Sequence, residues 1–87
     1  MSTWRKLIER ELEARGESWG DVLVSDITLD KKGLDREFDA GYGAEEGEPF
    51  TMWSKNRVYF PVCYDGAESV ASVSRNPDGK PTRHIGG

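Results

Sequence analysis

The chain has 87 residues, of which 36% are hydrophobic and 32% are charged, and its formal net charge is −4. This length predicts one small domain, since a single core is usually built from roughly 50–200 residues. The negative charge argues against binding to duplex nucleic acid, whose phosphates require lysine and arginine partners.

The first predicted element is an amphipathic N-terminal helix. Apolar residues recur at helical spacing, and charged residues of both signs occupy the other face. Ser2 or Thr3 can cap its start, and Gly16 stands where a helix stop is expected. The mixed charges favour packing on a sheet over binding to a membrane surface. The apolar positions are Trp4, Leu7, Ile8 and Leu12.

Short strands are predicted after the helix. Residues 22–29 are β-branched and apolar, and residues 30–33 (DKKG) have the composition of a turn. Residues 34–42 then alternate, with apolar side chains on one side and Asp35, Glu37 and Asp39 on the other. This alternation is typical of a half-exposed strand.

An aromatic hairpin follows. Residues 50–53 and 57–64 have strand composition, and Asp65-Gly66 is a hairpin signal that leads into residues 68–75. Pro61 falls inside the most strand-like segment, so it requires an edge, a bulge or a break in the sheet.

This order of elements predicts an α+β fold, with an N-terminal helix packed on a small, twisted antiparallel meander of about five strands. Residues 1–75 are expected to form the single domain, and the Pro/Gly-rich residues 76–87 an extended tail. The charged N-terminus and the lack of a long apolar run predict neither a signal peptide nor a membrane span. With a single cysteine, the expected compartment is the cytoplasm.

The acidity is concentrated in one block. Residues 16–48 carry ten acidic and three basic side chains, a net charge of −7, whereas both flanking segments are weakly positive. Such a surface favours contact with a basic protein, for example one that itself binds nucleic acid, and accelerates association by electrostatic steering. The predicted partner-binding residues are Asp35, Glu37, Asp39, Glu45, Glu46 and Glu48.

Metal and phosphate sites are weaker interpretations of this block. Asp35, Glu37, Asp39 and Glu46 fall at ligand positions of a helix–loop–helix calcium loop, but Ala40 stands where its turn needs glycine. A glycine pair at positions 41 and 43 lacks the lysine of a nucleotide loop. No metal and no cofactor are therefore predicted.

Catalysis has little support either. Cys63 lies in an apolar strand, and His84 lies in a tail that cannot hold an imidazole in place. No catalytic residue is predicted, and the chain is expected not to be an enzyme.

A second interface is predicted on the aromatic hairpin. Both of its faces carry large apolar groups, but one helix can cover only one of them. We expect Trp53 and Tyr59 on the uncovered face, which must meet the tail, another copy of the chain or a partner. A homo-oligomeric assembly protein is therefore the alternative to an acidic binding protein.

Three motifs carry a resemblance to known sequences: FDAGYGAEEGEPFTMW (38–53), RVYFPVCYDG (57–66) and SVSRNP (72–77). With them, the chain resembles a group of short uncharacterised proteins of bacteria, phages and mobile elements. The group has no established activity, so the resemblance implies a phage or mobile-element context and no site residue. An inhibitor of a host factor is one role expected in that context.

The terminal Gly86-Gly87 is similar to the end of a ubiquitin-like carrier. Those carriers place their helix between strand pairs, whereas here the predicted helix precedes every strand. The carrier is kept as a further alternative, and a Gly-rich terminus without such a role explains the same residues.

Overall fold

A computed structural model of the chain describes residues 2–38, 47–64, 67–77, 79–82 and 84. It confirms the α+β class and the antiparallel meander. In these residues the sheet has four strands in the order β1-β2-β3-β4, each antiparallel to the next. The elements are α1 (Trp4–Ala14), a 3-10 turn (Trp19–Asp21), β1 (Val22–Ile27), α2 (Lys31–Asp35), β2 (Met52–Ser54), β3 (Arg57–Tyr64) and β4 (Ala67–Ser74).

Helix α1 begins and ends where the sequence predicts. The Thr3 side chain accepts a hydrogen bond from a backbone N–H of the first turn. Gly16 adopts a φ of 72°, a left-handed conformation that favours glycine. The backbone N–H of Glu17 then donates to the carbonyl of Leu12 at 2.9 Å, which closes the helix and turns Glu17 back toward the sheet.

The core lies between α1 and one face of the sheet. Trp4 is 1% exposed, and its ring packs against Phe38 and Phe50 with centroid separations of 4.9 and 5.0 Å. Side chains of this kind contribute about 1.5–3 kcal/mol each when fully buried. The other buried apolar residues are Leu7, Ile8, Leu12, Leu29, Leu34, Met52, Tyr59 and Val70.

The structure corrects the prediction for the segment after β1. Residues 31–35 form helix α2 instead of a turn followed by a strand. The Asp30 carboxylate accepts a hydrogen bond from the Gly33 N–H at 2.8 Å, so the aspartate that could open a turn caps a helix. Phe38 forms only an isolated bridge, with Ser2, and residues 39–42 lie outside the described residues.

Pro61 lies at an edge of the sheet, which is one of the positions predicted for a residue that has no N–H to donate. It lies in β3 opposite Val70 of β4, beyond the end of the three-residue strand β2. On that side β3 has no hydrogen-bonded neighbour among the described strands. The missing N–H of proline therefore costs no bond to β2.

Candidate functional site

Asp35 is not available as an unpaired carboxylate. It closes α2 and forms an ion pair with Arg5 of α1, with 2.5 Å between Nε and Oδ1 and a second contact of 3.3 Å between Nη2 and Oδ2. This hydrogen-bonded pair lowers the pKa of the Asp35 carboxyl from its usual value. The prediction that Asp35 shares one side of a strand with the acids after it is wrong, because Asp35 belongs to a helix.

Glu37 and Glu48 are the exposed members of the predicted acidic set. Neither forms an ion pair within the described residues. The Glu48 carboxylate lies near the beginning of α2, where a Cβ added to Gly33 would meet its Oε1 at 2.7 Å. The remaining predicted residues, Asp39, Glu45 and Glu46, lie outside the described residues.

Trp53 and Tyr59 lie on opposite faces of the sheet, which corrects the predicted shared interface. Met52 pairs with Tyr59, and Trp53 pairs with Val58. Because paired residues share a face, Tyr59 joins Met52 in the core, and both are 0% exposed. Trp53 lies on the other face and is 36% exposed. Tyr59 is therefore not an interface residue in the folded chain.

The face of the sheet that points away from α1 is called the outer face below. Across β3 and β4 its paired positions are Val58 with Val73, Phe60 with Ala71 and Val62 with Ser69, and Trp53 of β2 pairs with Val58. None of these positions carries a charged side chain, and none of their side chains belongs to the buried core. On β1, Leu23 follows the core-facing Val22 and is 67% exposed. Across β2, β3 and β4 the outer face is thus uncharged and mostly apolar, whereas on β1 Asp26 precedes the core-facing Ile27 and places one carboxylate on this side.

A buried polar cluster joins the end of α1 to the sheet. Oε1 of Glu17 accepts hydrogen bonds from the Tyr59 Oη at 2.5 Å and from the Ser54 Oγ at 2.7 Å. Its Oε2 is buried and has no hydrogen-bond partner among the described residues. Burial, and then the hydrogen bond to Glu17, raise the pKa of Tyr59. The Tyr59 hydroxyl donates its proton in a hydrogen bond to Glu17, so the cluster ties the end of α1 to β2 and β3.

Ser72 links this cluster to a second carboxylate. Its Oγ donates to Oε2 of Glu11 at 2.8 Å and accepts from Nε of Arg57 at 2.7 Å. Arg57 also donates from Nη2 to the Ser72 carbonyl at 3.0 Å. Oε2 of Glu11 accepts from Nε of Arg15 at 2.8 Å. Two arginines are therefore held in place where the end of α1 meets β3 and β4.

A groove of about 860 Å³ opens beside these arginines, and the sequence analysis missed it. We call it the cationic groove, because its described lining includes four basic side chains and no acidic one. The weakly positive flanking segments were the signal in the sequence, but nothing there showed that their charges converge. The lining residues are Arg15, Arg57, Ser72, Val73, Ser74, Arg75, Asn76, Pro77, Gly79, Lys80, Pro81 and Thr82.

The other candidate residues do not assemble into a reactive site. Cys63 is half-buried and pairs across the strands with Glu68, whereas His84 is exposed on the tail. In the part of the chain that the structure describes, no three His, Cys, Asp or Glu side chains are grouped so as to hold a metal ion. No helix formed by those residues has the length and apolar character that crossing a membrane requires. Gly86 and Gly87 lie outside the described residues.

Comparison of the chain with protein-family models, with curated proteins and with solved structures finds no match in any of the three. Function is therefore inferred from the geometry and charge of the described residues.

Proposed function

We propose that this protein is a non-enzymatic binding protein that acts through the outer face of its sheet, and that a second copy of the chain occupies this face. The supporting observation is the absence of charge from the outer positions of β2, β3 and β4, in a chain of which 32% is charged. When one face of an antiparallel sheet is in contact with water, the residues on that face are normally polar. An uncharged apolar face of this extent is typical of an interface.

Electrostatics favours a second copy as the occupant. Each chain carries a formal charge of −4, so two copies repel one another wherever their acidic segments approach. The outer face lets two copies meet without placing like charges opposite each other. In a two-fold dimer, the same patch of each subunit forms the interface, so the patch must be complementary to itself. An apolar patch meets this requirement because it contains no charges that would repel their own copies.

The size of the face fits a small dimer interface. The longest strands have eight residues. At ~3.3 Å per residue and ~4.8 Å between strands, four strands of six, three, eight and eight residues cover on the order of 400 Å² in projection. This is about half of the roughly 800 Å² per partner of a standard interface, which places the proposed dimer among the small interfaces. Trp53 is the aromatic anchor of this face.

Sedimentation equilibrium at two protein concentrations tests the proposal. The unmodified chain is expected to be a dimer, and Trp53→Ala and Leu23→Lys are expected to shift it to a monomer that remains folded, because neither side chain belongs to the buried core. Lys6→Ala, an exposed change on α1, is the control and should leave the dimer intact. A monomeric unmodified chain, or a Trp53→Ala variant that remains dimeric, would falsify the proposal.

A second candidate function is the binding of a basic protein by the acidic block. Its support is that Glu37 and Glu48 are exposed and form no ion pair with any described residue, within a segment of net charge −7. In a phage or mobile-element context, such a protein would act as an inhibitor of a basic host factor.

A poly-lysine peptide is a suitable probe of this second candidate. The double change Glu37→Gln and Glu48→Gln should slow association and reduce its salt dependence, since steering depends on charge. The same double variant should remain a dimer, so the two candidate functions are tested separately. Equal association rates for the double variant and the unmodified chain would remove this candidate.

A further inference from the structure

The cationic groove borders the outer face at Val73, and it has the size of a ligand site. Its volume of about 860 Å³ falls within the ~300–1,000 Å³ typical of small-molecule sites. Its walls come from the end of α1, from β3 and β4, and from the segment after β4. Gly79 has a φ of 74°, and this turn brings Lys80 onto the wall together with Arg75.

Two of the lining arginines are oriented by the fold. Arg57 is fixed by its two hydrogen bonds to Ser72, and Arg75 donates from Nη1 to the Ser54 carbonyl at 3.0 Å. A guanidinium has five N–H donors, so these bonds leave three donors on Arg57 and four on Arg75 that no described residue engages. Arginines held in this way lose little side-chain entropy when they bind an anion.

Among the described carboxylates, Glu11 forms an ion pair with the lining residue Arg15, whereas none forms one with Arg57 or Arg75. Glu11 does not line it, and its Oε2 is committed to Ser72 and Arg15. Glu17 is turned toward Ser54 and Tyr59. Arg57 and Arg75 therefore carry positive charge that no described carboxylate pairs with, on a chain whose net charge is negative.

We infer that the cationic groove binds a small phosphate-bearing ligand of about nucleotide size. Guanidinium groups match phosphate oxygens in paired hydrogen bonds, and the Thr82 hydroxyl and the Asn76 amide of the lining add further donors. The Ser72 and Ser74 hydroxyls already donate to Glu11 and to the Asn76 carbonyl. A long nucleic-acid strand is a poorer fit, because it would extend from the groove toward a surface of net negative charge.

Calorimetric titration of the full chain at low ionic strength tests this inference, with inorganic pyrophosphate and adenosine monophosphate as separate probes. At least one of them is expected to bind saturably at one site per chain. If pyrophosphate binds more tightly than adenosine monophosphate, the ligand of the groove is a free phosphate compound. If adenosine monophosphate binds more tightly, the base contributes to the affinity.

Arg57→Gln and Arg75→Gln are each expected to weaken binding about tenfold, since each removes charge-assisted hydrogen bonds. Arg57→Gln also removes the hydrogen bond from Arg57 to Ser72 and can therefore affect folding. Arg75→Gln still tests the inference if the Arg57 variant does not fold. Arg10→Gln, with the same charge change at an exposed position of α1 outside the groove, should weaken binding less than about twofold.

Three results would overturn the inference. The first is an absence of saturable binding by both probes. The second is an equal loss of affinity in Arg10→Gln and Arg75→Gln, which would indicate general charge attraction. The third is a single-stranded oligonucleotide that binds more tightly as its length increases, which would assign the groove to a nucleic-acid backbone.

Discussion

The phenol oxygen of Tyr59 lies 2.5 Å from Oε1 of Glu17, which stands 42 positions earlier in the chain. Two independent features bring them together. The left-handed turn at Gly16 directs Glu17 toward the sheet, and the pairing of Met52 with Tyr59 places the phenol on the core face. The contact therefore reports on both the end of α1 and the register of β2 with β3.

Removal of this hydroxyl should destabilise the protein. In Tyr59→Phe, Oε1 of Glu17 keeps Ser54 as a donor, but a buried carboxylate loses one of its hydrogen bonds. We expect the free energy of unfolding to fall by roughly 1–3 kcal/mol, as for hydrogen bonds to charged groups. Urea denaturation measures this change. Glu17→Gln alone and combined with Tyr59→Phe completes a double-mutant cycle, and strictly additive losses would show that the two groups do not interact.

Tyr59 should also make the stability sensitive to alkaline pH. Its pKa is raised by burial and by the hydrogen bond to Glu17, so the folded chain keeps a proton that the unfolded chain releases near the ordinary tyrosine pKa of about 10. The resulting stabilisation is present below that pH and is lost as the pH rises toward the higher folded pKa. Phenolate absorbance should show one of the three tyrosines ionising late.

Tyr59→Phe is the control for this titration, because it should remove the late step and leave the others unchanged. Ionisation of all three tyrosines together, near pH 10 and in a chain that is still folded, would contradict the assignment.

Gly47 should not tolerate a side chain. A Cβ at this position would collide with Cζ2 of the buried Trp4 ring. The Gly47 N–H also donates to the Glu68 carboxylate at 3.0 Å, which limits retreat of the backbone. We expect Gly47→Ala to lower the free energy of unfolding by about 1–3 kcal/mol, as overpacking of a core does.

Gly20→Ala is the matched control in thermal or urea unfolding. Its added Cβ would meet the Ser18 Oγ at 3.5 Å, an ordinary contact. The prediction for Gly47 fails if both variants unfold at the same midpoint.

The ion pair between Arg5 and Asp35 should be visible in a carboxyl titration by carbon NMR. The hydrogen bond from Arg5 lowers the pKa of Asp35, so the pair stabilises the fold above the ordinary aspartate pKa and is lost as the pH falls through the lower folded value. Arg5→Gln should return the Asp35 pKa toward normal, whereas Lys6→Gln, next to it on α1, should not. High salt should reduce the shift, because the two side chains are 36% and 44% exposed.

The parts of the fold that follow local rules could be predicted from the sequence. The helical spacing of Trp4, Leu7, Ile8 and Leu12 identified four core residues, and all four are buried. Gly16 marked the end of the helix because glycine is favoured at a left-handed position. Asp30 was misinterpreted, because an aspartate before a glycine suits both the first position of a turn and the cap of a short helix.

The sites depend on relationships that local patterns do not contain. Alternation shows which residues of one strand share a face, but only the register shows which face of the next strand joins them. Alternation alone therefore predicts Trp53 and Tyr59 on one face, whereas the observed pairing of Trp53 with Val58 places them on opposite faces. The arginines of the cationic groove come from α1, β3 and the end of β4, so nothing short of the tertiary fold brings their charges together.

The hydrogen bond from Ser72 to Glu11 spans 61 positions of the chain, and its length in sequence bears on how the protein folds. An isolated helix of eleven residues is marginal in water, so α1 gains its stability only by docking on a sheet whose last strand is β4. Closing so long a loop slows the search for the native state. The helix signal in circular dichroism and the tryptophan fluorescence of the chain should therefore change in one concerted transition, without a populated intermediate in which α1 stands alone.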